Sequence, residues 1–259
     1  MGGSKEGLSM NEVLRHLAAR KSVRVYTGEP VTAEEKQAIL QAAFDAPTAG
    51  CQQFYTIIDV TDQALKERLA DLCDHQPFIA AAPLVLVFLA DCRRWNQCYR
   101  AAGLSPREPG PGDLLLAVAD ACIAAQNAVT AAESLGLGSC YIGDVIEQCE
   151  AMREALALPP AVVPAAMLVF GRPTDQQKAR PKPARLPAEY VVCENTYAER
   201  TPAEHRAAFS ARAAAAGKRD FDFDAWMRAF AARKYESDFS REMSRSAAVY
   251  LKDFAHWDG

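Results

Sequence analysis

The feature that most restricts the fold of this chain is a long apolar segment, DLLLAVADACIAAQNAVTAAESLG, at residues 113–136. It is rich in Ala and has no Gly or Pro before its last residue, so it predicts one helix of about 22 residues and about 33 Å. We expect Asp113 to cap its start and Gly136 to end it. A helix that is apolar on nearly every side must be buried all round. The segment therefore predicts a central helix that packs against other helices, including those of a second subunit across a dimer interface.

Short runs rich in β-branched and aromatic residues predict a small number of strands around this helix. Helical patterns separate them, without the regular spacing of βαβ units. We therefore expect an α+β fold, a mixed sheet flanked by helices, rather than a doubly wound parallel sheet. The strands are predicted at residues 54–60, 83–90, 162–171 and 190–193.

The first two helices are predicted from their start signals. Ser9 and Glu12 have the spacing of a capping box, and so have Thr32 and Glu35. A third helical pattern follows over residues 62–73.

The composition changes near residue 201 to Ala, charged residues and aromatic residues at helical spacing. This pattern is more typical of an arm on a protein surface than of an independent domain. We expect a main domain over residues 10–195 and a helical C-terminal arm over residues 196–259.

Composition excludes several classes of function. The chain has 259 residues and a net charge of −4, which argues against bulk nucleic-acid binding. Its eight Cys form no CxxC pair and it has only four His, so we expect no metal site. The N-terminus has no secretory pattern, and the apolar stretch at residues 79–90 is too short to span a bilayer. We expect a soluble cytoplasmic protein that binds neither nucleic acid nor membrane.

Common catalytic motifs are missing from the sequence. The Gly-rich patch LGLGSCYIGD at residues 135–144 does not match a dinucleotide fingerprint, because Tyr141 stands at the third glycine position and the patch follows a helix. No GxxxxGK[ST] loop, GxSxG elbow or HExxH helix occurs.

Positive charge and small polar residues recur in three separate segments. Residues 20–24 combine cations with Ser22, residues 47–53 read PTAGCQQ, and residues 179–187 form a basic, Pro-rich loop. Cations and hydroxyl groups suit a phosphate, small turn residues let a flat ring approach the backbone, and Gln can bind the polar edge of that ring. The segments together predict a bound mononucleotide. The alternative is that both cationic clusters are solvated surface and the PTAGCQQ turn only ends a helix.

In this order, the segments resemble the FMN-dependent nitroreductase family. Residues 20–24 match its Arg-x-Ser-x-Arg/Lys element, and residues 47–53 match its Pro-[ST]-[SA]-x-Asn-x-Gln element. Residues 141–144 match its Gly-containing turn after the central helix, and residues 182–187 match its Lys-Pro-Arg-Leu-Pro segment. The resemblance covers residues 10–195 or so, and the arm resembles the tails of some members less specifically.

The resemblance implies that FMN binds across these segments. Arg20 and Ser22 would hold the phosphate, Arg24 would approach the pyrimidine edge, and the backbone near Ile142 and Gly143 would lie close to the reactive N5. The implied binding residues are Arg20, Lys21, Ser22, Arg24, Thr48, Ala49, Cys51, Gln53, Ile142, Gly143, Lys182 and Arg185.

Two departures from the family pattern stand out. Cys51 occupies the usual Asn position, and because a thiol is a weak donor, one hydrogen bond to the ring would be lost and the flavin potential altered. Cys51 is otherwise a small filler at a tight contact. The extra residue Ala184 leaves the choice between Lys182 and Arg185 as phosphate ligand open.

By resemblance, the chain is an NAD(P)H oxidoreductase in which the flavin carries the chemistry and no side-chain acid is needed. It would reduce nitroaromatic compounds, quinones or similar small acceptors, as a homodimer with FMN at the interface. Alternatives are reductive dehalogenation or enoate reduction on the same scaffold, and a flavin-binding store or sensor without turnover. A structural interaction module, suggested by the helical tail, is a further alternative.

Overall fold

The computed structural model describes residues 10–256, so the predicted cap residue Ser9 lies outside the described part. The chain divides into two compact units, Met1–Arg180 with Glu242–Gly259, and Pro181–Arg241. This division differs from the predicted boundary between residues 195 and 196. The last residues return to the first unit because their side chains bond to residues 148–161.

The first unit contains a four-stranded sheet with the strand order β1-β2-β4-β3. All three ladders are antiparallel, and a parallel bridge joins Ser22 to Ser139 of the edge strand β3. The α+β fold and three of the four predicted strands are confirmed. The strands are β1 Tyr55–Asp59, β2 Leu84–Asp91, β3 Gly138–Ile142 and β4 Val162–Gly171.

The fourth predicted strand, at residues 190–193, is wrong. A short 3-10 turn at Ala188–Tyr190 occupies its start, and the side chains of Val191 and Val192 are exposed. The strand that the sequence did not predict is β3, which lies in the Gly-rich patch and overlaps the turn predicted at residues 141–144. Its strand conformation comes from pairing with β4, for example Cys140 with Val169.

In the first unit, helices pack on both faces of the sheet. In the second unit, α9 and α10 pack through the rings of Phe209 and Trp226, whose centroids lie 5.4 Å apart. The helices are α1 Glu12–Ala19, α2 Ala33–Phe44, α3 Gln63–Leu72, α4 Pro77–Ala80, α5 Arg94–Ala101, α6 Pro111–Ser134, α7 Cys149–Ala155, α8 Asp175–Ala179, α9 Pro202–Ala215, α10 Phe223–Lys234 and α11 Asp238–Leu251.

The first two helices begin close to where their signals predict. Thr32 and Glu35 form the predicted capping box, with bonds of 2.9 and 3.2 Å. At α1 the cap is Asn11, whose side chain accepts from the Leu14 N–H at 3.0 Å. Glu12 is therefore the first helical residue and not the third.

Both faces of the sheet are covered. Along β2, Val85 and Val87 point into a core shared with α3 and α7, whereas Leu86 and Phe88 point into a core shared with α2 and α6. Because side chains alternate across a strand, this two-sided burial requires a nearly continuous apolar run. The burial of β2 on both faces therefore explains the apolar run at residues 83–90 from which the strand was predicted.

The long helix α6 differs from its prediction in two respects. Asp113 is its third residue rather than its cap, and its carboxylate accepts from the Gly110 N–H at 2.8 Å. Within one chain the helix is buried on one face only, since Leu115 is 72% exposed and Ile123 41% exposed. By length and composition alone, α6 could also cross a membrane, although 44% of its most apolar window is buried in the chain.

Candidate functional site

The segment at residues 20–26 runs along the free edge of β3. Ser22 forms the bridge to Ser139, and the Val23 N–H donates to the Ser139 carbonyl at 2.9 Å. A Cβ atom at Gly138 would lie 2.4 Å from Cγ2 of Val23, so only glycine allows this approach. The position of the segment therefore depends on Gly138.

Three predicted residues, Arg20, Ser22 and Arg24, lie near Cys140, the middle residue of β3. Burial raises the pKa of the Cys140 thiol, and the Arg24 guanidinium, the Ser22 hydroxyl and the Arg20 guanidinium each oppose that rise. Burial likewise raises the pKa of Tyr141 to about 12, against the nearby charge of Arg20. Two cations and a hydroxyl group thus lie near residues 140–141, and the predicted residues Ile142 and Gly143 follow directly in the sequence.

Lys21 has a different environment from its neighbours. Its ammonium group donates to the carbonyl of Lys178 at 2.6 Å and to the carbonyl of Arg180. Three residues further along the chain, the Arg24 N–H donates to the buried side chain of Gln177 at 3.4 Å. These bonds fix the segment to α8. The assignment of Lys21 as a cofactor ligand stays a prediction.

The loop at residues 48–54, which contains the predicted ring-lining residues 48–53, is attached to α6. The Asp120 side chain is buried, and its two oxygens accept the N–H of Ala49 at 2.9 Å and the N–H of Phe54 at 3.1 Å. Asp120 was not among the predicted site residues. The signal was available, because Asp120 is the only charged residue between Leu114 and Ala132, and a buried charge requires partners.

The loop has an unusual backbone between these two bonds. Gly50, Cys51 and Gln53 have φ values of 56°, 56° and 50°. This left-handed region is uncommon for residues other than glycine. The loop presents Cys51 to the surface, while the Thr48 hydroxyl accepts the N–H of Gln53 at 3.2 Å.

Side chains of helix α5 donate hydrogen bonds to carbonyl groups of the same loop. The Trp95 indole donates to the carbonyl of Gln52 at 2.7 Å, and Arg94 donates to the carbonyl of Gln53 at 3.0 Å. Sequence reasoning missed both residues because their role depends on how α5 packs. The loop is therefore bonded to α5 and α6 of its own chain.

The turn after β3 is held by a side-chain amide. Gln76 donates to the Asp144 carboxylate at 2.5 Å and to the carbonyl of Cys73 at 2.7 Å. Gly143 lies between this anchored Asp144 and the end of β3. Gln76 is another residue of the site region that the sequence patterns did not reveal.

Lys182 and Arg185 belong to the second unit and are exposed there. Their assignment to a phosphate stays a prediction, as does the choice between them. Among residues 10–256, no group of three or more His, Cys, Asp or Glu side chains is arranged to hold a metal ion.

Together these features define an α+β protein with a cationic segment fixed along the edge of its sheet. The sequence model of the Nitroreductase family matches residues 17–172, and the chain belongs to that family. The predicted family and the nitroreductase-like fold are thereby confirmed.

Known relatives and a solved structure agree with this assignment. The chain is 41% identical over 188 residues to the oxygen-insensitive NADPH nitroreductase of Salmonella typhimurium, covering 73% of this chain and 75% of that protein. It is 38% identical over 190 residues to an NAD(P)H-dependent FMN reductase of Bacillus subtilis, with the same coverage of 73% and 75%. The structure of B. megaterium NfrA2 has a TM-score of 0.81 at 28% identity and covers 96% of this chain and 100% of its own.

Proposed function

We propose that this chain is an FMN-dependent NAD(P)H oxidoreductase that reduces nitroaromatic compounds, quinones or similar small acceptors. The flavin-dependent class and its NAD(P)H donor follow from the family and from relatives named as an NADPH nitroreductase and an NAD(P)H-dependent FMN reductase. The observation that carries the proposal is that Arg20, Ser22 and Arg24 lie on one segment, which the Ser22–Ser139 bridge and the Val23–Gly138 contact hold against β3.

The residues present fit FMN. Arg20 and Ser22 are half-buried beside β3, which suits a phosphate because charge-assisted hydrogen bonds strengthen where water is partly excluded. The close approach at Gly138 brings this cationic segment against the strand that ends in Ile142. A phosphate-binding segment would thus lie next to main chain that a flat ring could contact.

When bound, FMN supplies hydride transfer between NAD(P)H and the acceptor through N5. The protein orients the ring and adjusts its charge. Arg24 would stabilise negative charge at the pyrimidine edge, by about 4 kcal/mol at most, because water screens its exposed side chain. Thr48, Ala49, Cys51 and Gln53 would line the ring on the loop that Asp120 holds. No side chain need act as an acid, because such acceptors can take protons from water.

We also propose a cytoplasmic homodimer with FMN at the subunit interface. Helix α1, which packs on α6, exposes Val13 at 57% and Leu17 at 44%, and α6 itself exposes Leu115 and Ile123. Neighbouring apolar side chains on adjacent helices mark a protein interface, because their burial releases about 25 cal/mol per Å². A second copy on this face would complete the burial of α6 that its sequence predicts.

An absorption spectrum of the purified protein tests the proposed function directly. We expect flavin bands that bleach when NADH or NADPH is added without oxygen. Flavin bands that do not bleach would indicate a store or sensor. A colourless protein that takes up no FMN would indicate a structural module, and either result would overturn the proposal.

The acceptor class needs a separate assay. Steady-state rates with a nitroarene, a quinone, a halogenated phenol and an activated alkene would be compared at a saturating concentration of donor. We expect turnover with the first two. Turnover confined to the halogenated phenol or to the alkene would assign the chain to reductive dehalogenation or to enoate reduction instead.

A further inference from the structure

A single buried carboxylate holds both ends of the ring-lining loop. Resting on the proposed function, we propose that Asp120 is a positioning residue, which sets the conformation in which residues 48–54 meet the flavin. Asp120 lies on α6 and is 2% exposed. It acts through the backbone of the loop and not by touching a reacting atom.

The geometry uses both oxygens of the carboxylate. Oδ1 accepts from the N–H of Ala49 at 2.9 Å and Oδ2 from the N–H of Phe54 at 3.1 Å. An ionised acceptor makes stronger hydrogen bonds than a neutral one, and a buried charge that loses its partners is costly. Asp120 therefore holds the two N–H groups at a fixed separation. This separation sets the distance between the two ends of the loop.

The backbone between the two bonds explains why such confinement is needed. Cys51 and Gln53 both have φ values in the left-handed region, at 56° and 50°. Residues with side chains persist in this region only when their surroundings hold them there. A loop freed at its ends would relax toward ordinary conformations and turn Cys51 and Gln53 away from their present directions.

The three side chains that hold the loop bond to different kinds of backbone group. Trp95 and Arg94 donate to the carbonyls of Gln52 and Gln53 in its second half. Asp120 accepts from N–H groups at its beginning and end. Loss of Asp120 would leave the donors of α5 in place but free the beginning of the loop, where Thr48 and Ala49 lie.

The test compares two isosteric substitutions on the same helix. In Asp120→Asn, one oxygen still accepts while the new NH₂ group faces the second N–H. We expect the Kd for FMN to rise about tenfold or more, since hydrogen bonds to charged groups are the strong ones. We also expect faster hydrogen exchange at the amides of Ala49 and Phe54 in flavin-free protein.

Asp113→Asn is the matched control. Asp113 also lies on α6 and accepts a backbone N–H, but from Gly110, and it pairs with Arg107. We expect a lower Tm with an unchanged Kd for FMN. If Asp120→Asn lowers the Tm in the same way, with the Kd and both exchange rates unchanged, its role is only structural and the proposal is wrong.

Two further outcomes are informative without a variant. Slow exchange of the Ala49 and Phe54 amides in unmodified, flavin-free protein is expected, and fast exchange would overturn the proposal even if Asp120→Asn did not fold. If the unmodified protein bound no FMN, the proposed function would fail. The exchange data would still show whether Asp120 holds the loop.

Discussion

Gly138 and Val23 approach so closely that no other residue type fits at position 138. The Cβ of an alanine there would lie 2.4 Å from Cγ2 and 2.7 Å from Cβ of Val23. Because Val23 sits between Ser22 and Arg24, this contact determines how close the cationic segment lies to β3. Packing on the sheet edge and the proposed phosphate site are thus the same structural feature.

Gly138→Ala is therefore expected to damage both stability and flavin binding. The added methyl group must displace Val23, and overpacking of this kind costs about 1–3 kcal/mol of unfolding free energy. Urea unfolding and FMN titration would measure the two effects. Gly112→Ala is the control, because an added Cβ there meets no atom within 4 Å. Normal FMN binding by Gly138→Ala would contradict the proposed phosphate site.

The double substitution of Arg20 and Arg24 by Ala tests the cationic segment itself. We expect colourless purified protein, with a Kd for FMN raised about 100-fold or more, because each hydrogen bond to a charged group contributes about 1.5–3 kcal/mol. Lys178→Ala removes a nearby cation whose side chain pairs with Asp175 and should leave FMN bound. Retention of full flavin by the double variant would count against the assignment.

The cationic segment of the candidate site could be predicted, because its residues lie close together in the sequence. Arg20, Ser22 and Arg24 are adjacent along the chain, and any fold that orders the segment keeps them together. Strand β3 was missed because Gly138 and Ser139 favour turns, and only pairing with β4 makes them a strand. Within one chain α6 is less buried than its apolar pattern predicts, since the pattern does not distinguish the protein's own core from a surface that a second copy would cover.

The residues that hold the site were harder to predict. Trp95, Arg94 and Gln76 bond to backbone groups far away in sequence, and nothing in their own segments indicates those partners. Asp120 is the exception. A single charge inside an apolar helix predicts a buried bond, although not the loop that supplies it.

The docking of α11 should depend on pH in a defined window. Arg245 bonds to both carboxylate oxygens of Glu150, at 3.0 and 2.8 Å, and to Glu242 at 2.7 Å. These bonds lower the pKa of each glutamate from 4.5 to about 2. A carboxyl group with a lowered folded-state pKa stabilises the fold above its unfolded pKa and loses that effect as the pH falls toward the folded value.

We therefore expect the Tm to fall between about pH 4.5 and pH 2 partly through this cluster, whose stabilising effect is complete, and independent of pH, above that range. In Arg245→Ala this part of the decline should disappear. Arg241→Ala, on the same helix, would serve as the control. Identical Tm profiles for the unmodified protein and Arg245→Ala would show that the cluster does not stabilise the fold.

The exposed face of α6 predicts how the proposed dimer can be broken. Leu115→Arg together with Ile123→Arg would place two charges on this surface, and we expect a monomer by light scattering, with weaker FMN binding. Leu104→Arg changes a residue that is 59% exposed outside the helix and should leave the dimer intact. A double variant that stays dimeric would place the interface elsewhere.

Cys51→Asn tests the main departure from the family pattern. Asn adopts the left-handed region more readily than Cys, so at a φ of 56° the substitution should stabilise the fold by up to about 1 kcal/mol. An amide also donates and accepts better than a thiol. We expect the Kd for FMN to fall about five- to tenfold, the effect of one net hydrogen bond, and the midpoint potential of the bound flavin to shift.

Cys98→Asn makes the same chemical change at an exposed position on α5 and should alter neither the Kd nor the potential. If Cys51→Asn raises the Tm but leaves the Kd and the potential unchanged, position 51 shapes the loop without touching the flavin, and Cys51 is the small filler that its size alone suggests.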